Sequence, residues 1–544
     1  MTTEKGYLGV TPPISTAKSS EREKEVTTTL MEELRRQNVF ESVDESRLRE
    51  TVLGRAAAVV RQFVNQVSLC RGLSEAAANA AGGKIFTFGS YRLGVHGPGS
   101  DIDILYVVPK HVSRKDFFEV FEPMLRNVED VTEVSGVPEA YVPIIKTKMS
   151  EIPLCFRMAR LALPSIPDNL SLKDDNLLQN LDVQCLRSLR ESRVTDEILR
   201  LVPHIEVYRD SLRCIQLWAQ HEAIYSNMNG FLDGVAWAIL VARICQLYPN
   251  APAGAIVRRF FTIMYQWAWP LPVLLKEIEE GPLQACVWNP KLYPADRSHR
   301  MPIITPAYPA TCSTHGVTAS TQTIVTEEFK KGTNILEKVI VGTASWSELF
   351  QKHDFFRKYR YYLQVVASTG AVDLQTKWAG TVESQIQQLV MKLENVDSLI
   401  LAHPFVKGFV QISHCITEEE VRQVARGQIS KIVSKRTKAD VEGVDGASTV
   451  YWTTFYIGIL IEPKPLGAVG PRKFDIPYPS TEFTKLVKMW EKYDEDSMAI
   501  EARIIKSSAL PDYVFDEGER QPKEVSKRAK TGKVGGLGIL LEHD

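Results

Sequence analysis

Two aspartates that stand two residues apart are the side chains of this sequence with the clearest chemical potential. Asp101 and Asp103 open an apolar run, residues 104–108, that predicts a β-strand. Side chains at this spacing point to one face of a strand and lie about 6–7 Å apart. Such a carboxylate pair can bind Mg²⁺ or Mn²⁺, because hard divalent cations prefer oxygen ligands. The competing interpretation is a solvated strand end.

A glycine-rich segment precedes the pair and adds a second chemical element. Phe88, Gly89 and Ser90 form a turn that leads into a short helical stretch, and three glycines with Pro98 connect it to Asp101. Backbone amides at a helix start, next to a hydroxyl, can hold a phosphate. A phosphate site followed by a metal site predicts nucleotidyl transfer, in which two metal ions assist in-line displacement at phosphorus.

Composition limits the class of protein. A chain of 544 residues suggests about two to four domains. The 44% hydrophobic and 24% charged residues are typical of a globular protein, and the net charge of −1 requires any nucleic-acid contact to use local basic surface. The scattered cysteines include no Cys-x-x-Cys pair, which argues against zinc and for a reducing compartment. No apolar run has membrane-spanning length, so we expect no membrane partner.

The pattern of elements predicts a multidomain chain that combines α/β and α+β folds. In the catalytic part we expect a small mixed sheet, with strands over residues 101–108, 131–134, 144–148 and 152–156. The middle reads as helical, and two strand–helix–strand runs after it predict a ferredoxin-like, RRM-like domain. The expected boundaries are a flexible arm over 1–25, a nucleotidyltransferase domain with N-terminal helices over 26–200, a helical domain over 201–350, a ferredoxin-like domain over 351–510, and a basic tail over 511–544 for nuclear targeting or RNA contact.

Long stretches of sequence carry a family resemblance that spans essentially the whole chain. They are residues 88–103, 193–199, 234–237, 240–251 and 296–302. In these stretches the chain resembles the nuclear poly(A) polymerases of eukaryotes. The resemblance implies ATP and an RNA 3′ end as substrates, mRNA cleavage and polyadenylation factors as partners, a nuclear location, and RNA binding by the ferredoxin-like domain.

The resemblance also implies roles for individual residues. Asp101 and Asp103 would be catalytic and would hold two magnesium ions, together with a third aspartate on a neighbouring strand. The positions implied to bind the nucleotide are Phe88, Gly89, Ser90, Gln216, Tyr225, Asn227, Gly234 and Val235.

The chain departs from the family pattern at the implied site. Cys155 stands where the third aspartate is expected, and a thiol is a poor ligand for magnesium. Gln216 replaces a lysine that meets the triphosphate, so a hydrogen-bond donor remains but its charge is lost. Asp233 replaces a glycine and adds negative charge near the expected phosphates.

Two main hypotheses follow. The first is a template-independent poly(A) polymerase that adds AMP from ATP to RNA 3′ ends in mRNA 3′-end processing by a two-metal mechanism. Its activity is either impaired by Cys155 or maintained by the two remaining carboxylates. The second is a catalytically weak or inactive paralogue that binds RNA or processing factors. A nucleotidyltransferase that adds a nucleotide with another base is a third hypothesis. We interpret His96, in the glycine-rich loop, as a structural residue rather than a catalytic one.

Overall fold

The computed structural model describes residues 6–283, 287–463 and 476–519. The basic residues predicted for the tail, from Arg520 onward, lie outside these ranges. By its internal contacts the chain divides into two compact units. The first comprises Met1–His353 with Thr381–Val396, and the second comprises Asp354–Gly380 with Asp397–Asp544. In the described part of the chain, no helix is long and apolar enough to cross a membrane.

The strands and helices are numbered in chain order. The strands are β1 (Lys84–Phe88), β2 (Ile102–Val108), β3 (Val131–Val137), β4 (Ile144–Met149), β5 (Ile152–Arg160), β6 (Tyr361–Thr369), β7 (Leu399–Pro404), β8 (Phe409–Cys415), β9 (Ser448–Ile461) and β10 (Met498–Lys506). The helices are α1 (Glu21–Arg36), α2 (Val43–Cys70), α3 (Glu75–Ala80), α4 (Gly89–Leu93), α5 (Arg114–Asp116), α6 (Glu122–Arg126), α7 (Val183–Arg200), α8 (Ile205–His221), α9 (Gly234–Leu247), α10 (Ala253–Gln266), α11 (Pro294–Arg297), α12 (Ala319–Val341), α13 (Phe355–Lys358), α14 (Val372–Ser384), α15 (Ile386–Leu393), α16 (Glu418–Ala425) and α17 (Pro477–Lys488).

The first unit contains the predicted mixed sheet, with strand order β1-β2-β5-β4-β3. β2 and β5 pair in parallel, and the other neighbouring strands pair antiparallel. Alternate side chains of β2 fill two separate cores. Tyr106 packs with Phe63 of α2 on one face, whereas Leu105 packs with Leu189 of α7 on the other. Burial on both faces explains why residues 104–108 form a continuous apolar run.

β5 is longer than the sequence predicted. We expected this strand to end at Phe156, before a polar and apolar mixture that starts with Arg157. In the structure β5 continues to Arg160, because it lies between β2 and β4 and its backbone is paired on both sides. Arg157 is therefore a strand residue, and it shares a face with Cys155.

The helical part of the first unit is held by an aromatic core. Trp218 of α8 and Trp237 of α9 are fully buried and meet edge to face, with ring centroids 5.7 Å apart. Phe329 of α12 stacks on Trp218. Burial of large rings with these geometries makes such clusters strong contributors to packing. Both tryptophans are core residues.

The N-terminal segment is not the loose arm that its polar composition predicted. The backbone amide of Ile14 donates to the carbonyl of Leu247 at 2.9 Å. The Asn250 side chain donates to the carbonyl of Thr16 at 2.6 Å, and the buried Arg243 donates to the Thr11 hydroxyl at 2.5 Å. These long-range hydrogen bonds fix residues 11–16 on α9 and the turn after it. Composition could not reveal partners that lie more than 200 positions away in sequence.

The second unit has the predicted ferredoxin-like topology. Its sheet order, β10-β6-β9-β7, is that of the split βαβ fold. β8 is an addition that pairs with β9. Trp378 of α14 is buried and stacks on Trp490, with ring centroids 5.8 Å apart. The alternating and β-branched residues of the strands were sufficient to predict this domain from the sequence.

A buried charge network fixes the loop that leads to Asp101. Arg49 of α2 is fully buried and pairs with Glu41 at 2.9 Å and with Glu45 at 3.0 Å. Glu41 meets His96 at 2.8 Å, and Glu45 accepts a hydrogen bond from the Gly99 amide at 2.9 Å. His96 therefore acts through its contact with Glu41, in agreement with a structural role.

We expect Arg49→Met to destabilise the chain by about 3 kcal/mol, because both carboxylates would lose their buried partner. Arg47→Met is the matched control. Arg47 lies on the same helix but is 76% exposed, and its pair with Asp44 spans 3.8 Å, so we expect a change below about 1 kcal/mol. The measurement is the urea midpoint of the full chain. Equal midpoints for the two variants would show that the network does not hold the loop.

Candidate active site

The pairing of three strands builds the centre of the site. Asp103 on β2 lies opposite Phe88 on β1 and opposite Cys155 on β5. All three are register partners on neighbouring strands, so the aspartate is flanked by an aromatic ring and a thiol. Asp101 stands one residue before β2 and is exposed. The structure thus places the predicted pair at the edge where β2 begins, next to the predicted third position.

Gly89 lies directly against the Asp103 carboxylate. Its φ of +64° is in the left-handed region, and a Cβ there would lie 2.7 Å from Asp103 Oδ2. Both constraints require glycine. The Gly89 amide donates to the Thr195 hydroxyl of α7 at 3.3 Å. The turn therefore packs directly against the Asp103 carboxylate. The Gly89 amide, which we expected to bind phosphate, already donates a hydrogen bond within the protein.

Asp103 is electrostatically perturbed. Burial and, to a smaller extent, the negative charge of Asp101 raise the pKa of its carboxyl to about 7, although the Arg157 guanidinium opposes the shift. The Cys155 thiol also donates a hydrogen bond to this carboxylate. Near neutral pH the group is poised between its two protonation states, a condition that clusters at functional sites.

Cys155 is a neutral group in this environment. Burial, together with the adjacent Asp103 charge, raises the pKa of the thiol to about 12. A thiol this far from ionisation supplies no anionic ligand at pH 7. The position that the family resemblance assigns to a carboxylate therefore contributes one weak hydrogen bond and no negative charge.

Arg157 and Glu191 belong to the site, and the sequence reasoning missed both. Arg157 Nη1 lies 2.5 Å from Glu191 Oε2 of α7, and the guanidinium carbon lies 4.8 Å from the centre of the Phe88 ring. The two-residue spacing between Cys155 and Arg157 would have placed both side chains on one face of a strand. The predicted strand ended at Phe156, so the sequence analysis did not include Arg157. Nothing in the sequence indicated that Glu191 faces this strand.

A cavity of about 380 Å³ extends from the same turn. Ser90, Gln216 and Tyr225, all predicted to bind the nucleotide, line it. Arg213, one turn before Gln216 on α8, lines it too and donates to the carbonyl of Gly94 at 2.5 Å. The cavity therefore keeps a guanidinium although Gln216 lacks the charge of a lysine.

The remaining predicted residues gather at the start of α9. A Cβ on Gly234 would lie 2.6 Å from the Tyr225 hydroxyl oxygen, so glycine allows this close approach. Val235 follows within the first turn of α9, and Asn227 lies exposed in the turn that joins Tyr225 to this helix. Burial of Tyr225 raises its pKa to about 12, so the phenol remains a hydrogen-bond donor near neutral pH.

Asp233 has a local role that the sequence did not reveal. It is the N-cap of α9, and its carboxylate accepts a hydrogen bond from the Ala236 amide at 2.9 Å. Burial raises the pKa of this carboxyl, and the nearby Glu191 charge adds to the shift. A carboxylate at an N-cap interacts favourably with the helix dipole. We expected only repulsion of phosphates at this position.

Two carboxylates of the site have the chemistry to hold a divalent cation. Asp101 and Asp103 supply hard carboxylate oxygens, the ligands that Mg²⁺ and Mn²⁺ prefer. Cys155 supplies a neutral sulfur, and Arg157 places positive charge on the same face of the sheet. Within the described residues, no three His, Cys, Asp or Glu side chains are arranged to hold a metal ion.

Comparisons with known proteins match nearly the whole length of the chain. Three family models match in succession, namely the poly(A) polymerase nucleotidyltransferase domain over residues 9–202, the poly(A) polymerase central domain over 207–352 and the poly(A) polymerase predicted RNA binding domain over 354–524. Poly(A) polymerase pla1 of Schizosaccharomyces pombe is 50% identical over 543 residues, covering 96% of each chain. Poly(A) polymerase PAPa of Candida albicans is 46% identical over 532 residues, covering 96% of this chain and 95% of its own.

Similarity to solved structures is more distant. A structure of Cid1, which has RNA terminal uridylyl transferase activity, superposes with a TM-score of 0.41 at 16% identity. The match covers 61% of this chain and 99% of Cid1.

Asp103→Asn should change how stability depends on pH. A carboxyl whose pKa is raised on folding, here from 3.8 to about 7, contributes stability below the unfolded value and loses it as pH rises through the folded value. We therefore expect the metal-free variant to gain stability over the native protein between pH 5 and pH 8, by about 3 kcal/mol at most. Thermal unfolding with a chelator present measures this. Asp130→Asn, an exposed aspartate in the same domain, is the control, and parallel pH profiles for the two variants would contradict the expectation.

Gly89→Ala should destabilise the protein by more than the backbone strain that alanine has in the left-handed region. Gly72→Ala is the matched comparison, since Gly72 has a φ of +82° with open space around it. The backbone cost of about 1–2 kcal/mol is shared by both variants, and only Gly89→Ala adds the collision with Asp103. We expect a larger fall in the urea midpoint for Gly89→Ala. Equal falls would mean that the turn does not press on the carboxylate.

Proposed function

The chain belongs to the poly(A) polymerase family, and from this premise we propose that it transfers AMP from ATP to RNA 3′ ends without a template. One structural observation supports this proposal at the level of individual residues. Gly89 lies against the Asp103 carboxylate, and Ser90, the next residue, lines the cavity. A nucleotide in the cavity would thus present its phosphates at the turn that borders the carboxylate pair.

The cavity residues account for nucleotide binding. Ser90, Gln216 and the Tyr225 phenol would supply uncharged hydrogen-bond donors, and Arg213, which also pairs with Asp210 at 3.0 Å, would add a guanidinium to the same wall of the cavity. With the α-phosphate at the Gly89 turn, the RNA 3′ hydroxyl oxygen would attack the α-phosphorus and release its proton to solvent, while the bond between that phosphorus and the oxygen that bridges to the β-phosphate breaks and pyrophosphate leaves. The base of the nucleotide, adenine, is inferred from the family.

The family implies use of a divalent metal, and Asp101 with Asp103 would hold it as Mg²⁺ or Mn²⁺. Bound there, the ion would neutralise charge that develops on the transferred phosphate. Holding this ion is the task of the two carboxylates. Because Cys155 adds no anionic oxygen, we propose that the native rate is lower than a third carboxylate would give.

A binding-only paralogue is the less favoured reading. The relatives that match at 50% and 46% identity over almost the full length are named poly(A) polymerases, and Asp101, Asp103, Gly89 and Ser90 are all present. The ferredoxin-like domain matches the family model for RNA binding, so we propose that it holds the RNA substrate. Cleavage and polyadenylation factors as partners, and a nuclear location, complete the proposal.

The native protein should extend an oligo(A) RNA primer with ATP in the presence of Mg²⁺ or Mn²⁺. We expect Asp103→Asn to lower the rate by at least about 10²-fold, because the site would lose a preorganised charge. Asp130→Asn, which makes the same chemical change at an exposed position, should keep the native rate.

The readout is primer length on a denaturing gel, with each of the four nucleoside triphosphates supplied alone. No extension by the native protein under either metal would refute the proposed activity. Extension with UTP in preference to ATP would refute the assigned nucleotide.

A further inference from the structure

A partly buried ion pair beside Asp103 has no part in the function proposed so far. Arg157 and Glu191 meet at 2.5 Å, and their side chains are 17% and 34% exposed. Removing charged groups from water costs free energy unless further contacts compensate for the lost hydration. Here the Phe88 ring supplies one, because the guanidinium lies over its face at 4.8 Å.

The strand register brings this pair to the carboxylate. Asp103 lies opposite Cys155 and Leu105 lies opposite Arg157 in the parallel ladder, so Arg157 is a diagonal neighbour of Asp103 on one face of the sheet. Diagonal neighbours are within reach of long side chains. The positive charge of Arg157 stabilises the ionised form of Asp103, and Glu191 opposes it from further away.

Two properties make Arg157 a fixed source of positive charge. Its guanidinium is charged at every accessible pH, and Glu191 on α7 fixes its direction. Cys155, the register partner of Asp103, carries a thiol, a group that is ordinarily neutral near pH 7. The site thus has a guanidinium two residues along β5 from Cys155, the position where the family pattern has a carboxylate that binds metal.

We propose that Arg157, oriented by Glu191, supplies beside Asp103 the positive charge that an ion on a third carboxylate would supply, so that the site binds a single divalent cation through Asp101 and Asp103. The inference rests on the proposed nucleotidyl transfer and concerns the same site. Arg157 acts as a charge-compensating residue. A second cation next to the guanidinium would be repelled in this partly buried environment.

The affinity for Mn²⁺ tests whether the Arg157 charge acts on the Asp101–Asp103 pair. We expect Arg157→Met to bind Mn²⁺ about tenfold more tightly than the native, nucleotide-free protein, since removal of a neighbouring cation favours another cation on the carboxylates. Arg157→Lys should stay close to the native affinity because it keeps the charge. Loss of the electron paramagnetic resonance signal of free Mn²⁺ gives both affinity and stoichiometry.

Arg160→Met is the matched control for this experiment. Arg160 lies on the same strand three residues later, on the opposite face, 3.8 Å from Asp182. Its loss removes the same charge and should leave Mn²⁺ affinity unchanged. An unchanged affinity in folded Arg157→Met would overturn the proposal, and so would an equal tightening in Arg160→Met, which would indicate a general charge effect.

The number of bound ions tests the consequence. With adenosine 5′-(α,β-methylene)triphosphate at saturation, we expect one Mn²⁺ on the native protein and two on the double variant Cys155→Asp with Arg157→Met. Cys155→Asp alone should keep one, because the new carboxylate would pair with Arg157. Two ions or none on the native protein would overturn the proposal, as would one ion on the folded double variant.

This outcome is independent of RNA extension. A native protein that fails to extend RNA would refute the proposed function whatever its ion count. A native protein that extends RNA while binding two ions would keep the function and refute the role of Arg157. If the double variant does not fold, the native ion count and the Arg157→Met affinity still decide.

Discussion

The parallel pairing of β2 with β5 is the constraint on which the site depends. It sets Asp103 beside Cys155 and one diagonal step from Arg157, and it buries the carboxylate deeply enough to raise its pKa to about 7. A carboxylate in such a place needs positive charge, from a bound cation or from the protein. The chain provides the Arg157 guanidinium, which also pairs with Glu191, and the Cys155 thiol adds no negative charge to the strand.

Helices α7 and α8 contribute side chains that contact the strands and the glycine-rich turn of the site. α7 contributes both Glu191, which orients Arg157, and Thr195, which accepts from the Gly89 amide. α8 contributes Arg213, whose hydrogen bond to the Gly94 carbonyl ties the helical region to the end of the glycine-rich turn. Thr195 of α7 and Arg213 of α8 therefore contact the two ends of the same turn.

The three departures from the family pattern have different structural consequences. Asp233 is accommodated as the cap of α9, and its charge is directed at a helix end. Gln216 is accompanied in the same cavity by Arg213, whose guanidinium pairs with Asp210. Cys155 is the departure with a chemical cost, because its thiol lacks both the charge and the hardness of the carboxylate that the family pattern predicts.

The sequence alone determined the elements and the family. Strict periodicity predicted the mixed sheet, the helical middle and the ferredoxin-like domain, and local spacing placed Asp101, Asp103, Gly89 and Ser90 in one segment, because these features depend on near neighbours in the chain. Only the tertiary structure decided the rest. The attachment of residues 11–16 to α9, the meeting of Arg157 with Glu191 and the capping role of Asp233 depend on partners from distant segments or on where a helix begins. Periodicity carries no information about which distant charges a fold will bring together, and this is why the sequence could identify the carboxylates but not the cation that accompanies them.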